Sequence, residues 1–150
     1  MKIAVGSDHG GLDLKDAIRD HLKSQGHEVQ DFGTQSRESV DYPDYARAVA
    51  EAVARGEFER GILVCGTGQG VGITANKVRG IRAAVCTDTY SARMSRDHND
   101  ANVLCLGGRV VGAGLALDIV DIWLKTEFSH DPRHERRIGK IAETEKAHRR

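Results

Sequence analysis

Five short strand-like runs recur along the chain: Lys2–Val5, Glu28–Phe32, Gly61–Val64, Ile81–Cys86 and Val103–Leu106. Each is followed, directly or after a loop, by a stretch whose apolar residues recur at helical spacing. Strands alternating with helices cannot pair as hairpins. They demand crossover connections, a parallel sheet and helices on both of its faces. Right-handed crossovers then bring every strand's C-terminal end to one edge, where open α/β sheets bind ligands. The expectation is an α/β protein: a three-layer Rossmann-like fold with a five-stranded parallel sheet flanked by helices, plus a C-terminal helix, in one domain over residues 1–150.

The helices are marked by their stripes and stops. Leu14, Ile18 and Leu22 give one apolar face over residues 12–25, with Gly26 as the stop. Pro43 suits a first helical turn, Tyr45, Val49 and Val53 continue it, and Gly56 closes it. A third helix is expected over residues 73–78. Thr87-Asp88 can cap a fourth, over residues 89–97. Leu115, Ile119, Ile122 and Trp123 mark a strongly apolar fifth. Asp131-Pro132 breaks the chain before a last helix with Ile138 and Ile141 as a thin stripe. The loops predicted at the ligand edge are 6–11, 33–41, 66–72, 87–88 and 107–109. By the same logic, the connector 98–102 follows a helix and belongs on the opposite edge.

The 150 residues carry 22 basic and 22 acidic side chains, which speaks against a nucleic-acid or membrane surface. No apolar run approaches the ~20 residues of a membrane span. Met1 leads directly into a strand, without a signal-peptide pattern. Three cysteines, Cys65, Cys86 and Cys105, form no disulfide framework, and no Cys-x-x-Cys pair offers a metal site. A reduced, cytoplasmic protein is expected.

One ligand-edge loop carries distinctive chemistry. Cys65 ends the third strand and is followed by Gly66, Gly68, Gly70 and Gly72 on alternate positions. Such glycines let backbone N–H groups turn toward one point and let a ligand approach closely. Three chemistries compete. A dinucleotide-binding module needs Gly-x-Gly-x-x-Gly, which fails here at Val71 or, counted from Gly68, at Ile73. A cysteine phosphatase needs an arginine six residues after the cysteine, and that position is again Val71. Proton abstraction next to a carbonyl needs a base, donors for the developing oxyanion and a grip on the rest of the substrate. Cys65, the Gly66–Gly70 amides and cationic side chains meet those needs. Arg133 and Arg137 share a helix face at i and i+4, with Lys140 next along it, and Arg109 follows the fifth strand.

These residues lie within a wider set of motifs: Gly6-Ser7-Asp8-His9, Asp41-Tyr42-Pro43, Cys65-Gly66-Thr67-Gly68-Gln69-Gly70, Ala75-Asn76-Lys77, Gly80-Ile81-Arg82-Ala83, residues 95–102 (SRDHNDAN), Gly107-Gly108-Arg109 and Arg133-His134. In this order and spacing, over nearly the whole chain, they resemble the ribose-5-phosphate isomerase B family, whose relatives include galactose-6-phosphate isomerase subunits. The resemblance implies interconversion of ribose 5-phosphate and ribulose 5-phosphate, a pentose phosphate pathway step, without metal or cofactor. It makes Cys65 the base that moves the C2/C1 proton and His98 the acid/base group of ring opening. Asp8 and His9 match first-loop substrate contacts. Gly66, Thr67, Gly68, Gln69 and Gly70 match the loop that holds the enediolate, with Thr67 supporting it. Asn99, Arg109, Arg133 and Arg137 match substrate and phosphate contacts. Some members carry a glutamate base at the position of Val71, so this chain resembles the cysteine type. The resemblance also implies a homodimer or homotetramer with sites at the subunit interface. Allose 6-phosphate and galactose 6-phosphate are alternative substrates, since pocket size is not legible in sequence.

The remaining candidates have simpler readings. Cys86 and Cys105 lie in apolar strands and read as small buried hydrophobes. His21, His27, His130 and His148 read as solvated surface groups. His134 reads as a neighbour that supports Arg133.

Overall fold

The computed structural model describes residues 1–149. Its strands are β1 (Lys2–Ser7), β2 (Glu28–Asp31), β3 (Arg60–Cys65), β4 (Ala83–Val85) and β5 (Val103–Gly107). They form one wholly parallel sheet in the order β2-β1-β3-β5-β4. The helices are α1 (Leu12–Ser24), α2 (Tyr42–Ala54), α3 (Gln69–Ala75), α4 (Thr89–Asp97), α5 (Ala113–Lys125) and α6 (Pro132–Ala147). A 3-10 turn, His9–Gly11, joins β1 to α1.

Alternation along the strands sorts the core into two layers. Ile3, Val5, Ile62, Val64, Leu104 and Leu106 pack under α1, α4 and α5. Ala4, Leu63, Cys65, Val103 and Cys105 pack under α2 and α3. The expected stripe Leu14, Ile18 and Leu22 is buried as foreseen. So are Ile119 and Trp123 of α5, whereas Leu115 remains exposed.

The order of the strands decides where a ligand can enter. After β1 the chain leaves on the α1 face, and after β3 it leaves on the α3 face. The two strands are neighbours, with Ser7 paired to Val64. Their C-terminal loops therefore diverge and open a crevice, the topological switch point of the sheet. β5 lies on the other side of β3, with Cys65 opposite Gly107.

Three features depart from the sequence reading. Helix α3 starts at Gln69 rather than at residue 73, so Gly70 and Gly72 are helical. Tertiary packing overrides their poor propensity. A side chain at Gly70 would run into the Tyr42 ring, and one at Gly72 would come within 2.8 Å of Val85. Strand β4 is only three residues long, an edge strand covering the middle of the expected run. His21 is not simply solvated, because its Nε2 pairs with Asp121 Oδ1 at 2.8 Å and ties α1 to α5.

Helix α6 stands apart from both layers. Among its 16 residues only His134 is buried. Its expected stripe residue Ile141 is 48% exposed. A cavity of about 550 Å³, lined by Ile81, Ala83, Asn99, Ile141 and Glu145 among others, separates the helix from the β4 edge. Among the described residues no helix is long and apolar enough to cross a membrane.

Candidate active site

Three loops built largely of glycine meet at the mouth of the crevice. The Gly108 amide donates to the Cys65 carbonyl at 2.8 Å and the Arg109 amide to the Gly66 carbonyl at 3.0 Å. The Asp8 amide donates to the Val64 carbonyl at 3.3 Å. Backbone meets backbone here with no room for side chains. A Cβ on Gly107 would lie 2.8 Å from the Thr67 carbonyl, and one on Gly11 would lie 2.5 Å from the Val64 oxygen. Gly68 has a second reason to be glycine, because its φ of +82° is costly for any residue with a side chain.

Cys65 is 5% exposed at the end of β3. The chain turns back over it, and the Gly68 amide donates to its sulfur at 3.1 Å. The Gln69 amide donates to Thr67 Oγ1 at 3.2 Å, so Thr67 braces the turn that opens α3. Of the amides expected to face an oxyanion, Gly68 and Gln69 are therefore already engaged. Those of Gly66, Thr67 and Gly70 remain as candidate donors. Arg109 completes the rim. Its Nη1 would be 3.3 Å from a Cβ on Gly66, and its Cζ 3.5 Å from one on Gly10.

Asp8 and His9 hold the opposite wall. Asp8 is buried, and its Oδ1 accepts the Gly11 amide at 3.1 Å, capping the 3-10 turn. His9 Nδ1 accepts the Val40 amide at 3.2 Å. An amide only donates, so Nδ1 must be the bare nitrogen and a neutral His9 carries its proton on Nε2. That contact comes from loop 33–41 and was not legible in sequence. The loop is held from below by Lys15, whose ammonium donates to the Thr34 carbonyl at 2.9 Å and to Asp31 at 2.7 Å. Tyr42, which begins α2, lays its ring on Gly70.

Burial pushes the Cys86 thiol up to about 11. Burial raises Cys105 further, reinforced by the neighbouring Cys65 and Cys86. Both are inert as bases at neutral pH. Asp88, the acid that a ribose-binding reading would need, caps α4 through Ser91, its Oδ1 accepting the Ser91 amide at 2.6 Å.

The remaining candidates gather elsewhere. His98 is the C-cap of α4, and α4 runs back toward the N-terminal edge of the sheet. Asn99 follows it, its carbonyl accepting from Arg82 at 2.8 Å. α5 also runs back to that edge, so α6 and its Arg133 and Arg137 begin there. The Ser129 amide donates to the Asp97 carbonyl at 3.1 Å and joins the two segments. The His98 and His134 rings stack with centroids 4.2 Å apart. One chain thus carries two clusters. Cys65, Thr67, the glycine amides, Asp8, His9 and Arg109 surround the crevice. His98, Asn99, Arg133 and Arg137 lie at the other edge.

Known proteins share this arrangement of sequence and fold. Residues 3–141 match the family model described as Ribose/Galactose Isomerase. The ribose-5-phosphate isomerase B of Escherichia coli (strain K12) is 54% identical over 144 residues, covering 96% of each chain. A D-erythrulose-4-phosphate isomerase of Pectobacterium atrosepticum is 48% identical and spans 85% of each chain. The solved structure of Clostridium thermocellum ribose-5-phosphate isomerase B is 64% identical, superposes with a TM-score of 0.98, and covers 99% of this chain and 100% of its own. The chain belongs to the ribose/galactose isomerase family, among enzymes of the ribose-5-phosphate isomerase B kind.

Proposed function

We propose that the protein interconverts ribose 5-phosphate and ribulose 5-phosphate through an enediolate, with Cys65 as the base. The observation that carries this reading is the thiol at the floor of the switch-point crevice, surrounded by amide donors and rimmed by Arg109. The sugar enters as a ring. His98 protonates the ring oxygen while Asp8 accepts the proton of the C1 hydroxyl, and the ring opens to the aldehyde. The Cys65 thiolate removes the C2 proton, and the electron pair moves onto the C1 oxygen. The Gly66, Thr67 and Gly70 amides stabilise that oxyanion. The C1 oxygen gains a proton, the C2 hydroxyl loses one, and the Cys65 thiol returns its proton to C1 to leave the ketone. Proton exchange with water then returns His98 to its protonated form and Asp8 to its carboxylate, so no group of the enzyme is consumed.

This chemistry needs the two clusters in one place, and a second copy supplies the missing half. His98, Asn99, Arg133 and Arg137 of one copy would face the crevice of the other and hold the phosphate. Helix α6 supports this arrangement. Sixteen residues with one buried side chain gain little from their own chain, and in proteins most helical stability comes from packing a helix face. A facing copy would cover Ile141 and fill the cavity beside it.

The deciding assay is ribulose 5-phosphate formation by Cys65→Ala. The expected loss is on the order of 10³-fold in kcat, the scale of a general base. A near-normal rate would refute the assignment. Arg137→Ala should raise KM, and an unchanged KM would argue against a phosphate grip. Sugar length is read by comparing ribose 5-, allose 6- and galactose 6-phosphate as substrates.

A further inference from the structure

We infer that His134 is a positioning residue that sets both the phosphate-gripping arginine and the ring-opening histidine. It is the only buried residue of α6. Its two ring nitrogens and one ring face are each engaged, each by a different partner. The Arg133 Nη2 lies 3.3 Å from His134 Nε2. A guanidinium has no lone pair to offer, so it donates and Nε2 accepts. The ring proton of neutral His134 must then be on Nδ1, which donates to Ser129 Oγ at 2.8 Å. That hydroxyl also accepts the Asp131 amide at 3.1 Å, so both of its lone pairs are used and its orientation is fixed. The chain of contacts is directional from the loop before α6 to the guanidinium. On the open face of the ring lies His98, tilted by 36° at a centroid distance of 4.2 Å.

Each contact has a separate consequence. Arg133 is the more exposed partner, its side chain 55% exposed with Asp131 Oδ2 at 3.9 Å as its ion-pair partner. The bond to Nε2 restrains one arm of the fork and leaves the other free for a phosphate. His98 is 43% exposed, with Asp97 at 3.8 Å, and the His134 ring forms the wall against which it rests. His134 is thus placed to act on binding through Arg133 and on proton transfer through His98. It touches no substrate itself. The inference rests on the proposed roles of Arg133 and His98.

Two variants separate the contacts. His134→Phe keeps a ring face for His98 and removes the Nε2 acceptor. His134→Gln keeps an oxygen near the Nε2 position and removes the ring. With ribose 5-phosphate, His134→Phe should raise KM, and the inhibition constant of inorganic phosphate, about tenfold with kcat nearly unchanged. His134→Gln should keep KM near the wild-type value and lower kcat about fivefold. A merely structural role would move both parameters together in both variants, and that result overturns the inference. Arg133→Ala and His98→Asn are the reference arms. If they leave KM and kcat unchanged, the roles of those residues fall. If they move and the His134 variants do not, His134 positions nothing. The wild-type protein gives an independent test that needs no variant. Long-range ¹H–¹⁵N correlation at neutral pH should show His134 as the Nδ1–H tautomer, and an Nε2–H or doubly protonated ring overturns the inference.

Discussion

Replacing Asp31 with asparagine should destabilise the fold out of proportion to the small change in shape. Lys15 is 1% exposed; its ammonium donates to Asp31 Oδ2 at 2.7 Å and to the Thr34 carbonyl at 2.9 Å, and it lies 3.0 Å from Asp16 Oδ1 as an ion pair. The Asp31 Oδ2 also accepts from Arg19 at 2.8 Å, while Oδ1 accepts the Gly33 amide at 2.8 Å. Asparagine can keep the Gly33 contact but not the charge. At 2.7 Å the attraction to Lys15 is about 6 kcal/mol gross for an effective dielectric near 20. Stripping one partner from a buried pair costs about 3–5 kcal/mol, and because Asp16 still faces Lys15 the low end, ~3 kcal/mol, applies. With a urea m-value of ~2 kcal/mol/M, the unfolding midpoint should fall by about 1.5 M at fixed chain concentration. Lys15→Met in the same chain should recover much of the loss, since no ammonium is then left buried without its carboxylate. A midpoint shift below ~0.5 M for Asp31→Asn, or a double variant weaker than the single one, would refute the reasoning.

The same carboxylate sets a pH dependence. Burial works to raise its pKa, but hydrogen bonds from Lys15, the Gly33 amide and Arg19 outweigh it and hold the value below 3.8. A depressed carboxylate contributes stability that is present above its unfolded value and lost as pH falls through its folded one. The midpoint difference between wild type and Asp31→Asn should therefore be full at neutral pH and shrink below pH 3.8. Gly107→Ala should push loop 66–68 off β5, costing about 1–3 kcal/mol and most of the activity; wild-type turnover would show that the loop can yield. Iodoacetamide at neutral pH should label Cys65 and spare Cys86 and Cys105, read by peptide mass spectrometry; labelling of the buried pair in folded protein would contradict their raised pKa values. Val40→Pro removes the amide that faces His9 Nδ1 and should raise KM about fivefold, the scale of one hydrogen bond. An unchanged KM would mean that His9 needs no such restraint.

Much of this molecule is legible from local pattern. The alternation of strand-like runs with stripes such as Leu14, Ile18 and Leu22 is enough to reach a parallel sheet between helices. The position of Cys65 before its glycines reaches the crevice. What escapes is set by partners distant in sequence. Strand order depends on non-local pairing, so nothing local shows that β5 inserts between β3 and β4. Gly70 and Gly72 read as loop because glycine resists helix, and only Tyr42 and Val85 explain why they are helical. Lys15 looks like part of the polar face of α1 until β2 brings Asp31 beneath it. His98 was expected on the far edge by connectivity and at the site by resemblance, and the chain satisfies the first within one copy.

That division has a genetic consequence. If each catalytic centre draws on two copies, disabling substitutions fall into two complementation groups. Cys65→Ala belongs to one and His98→Asn, which lacks the ring-opening acid, to the other. In a twofold dimer that joins the two variants, one centre carries both lesions and the other carries neither. Random reassociation of equal amounts should therefore restore about a quarter of wild-type activity from two inactive proteins. Two variants from the same group, such as Cys65→Ala and Gly107→Ala, should restore nothing.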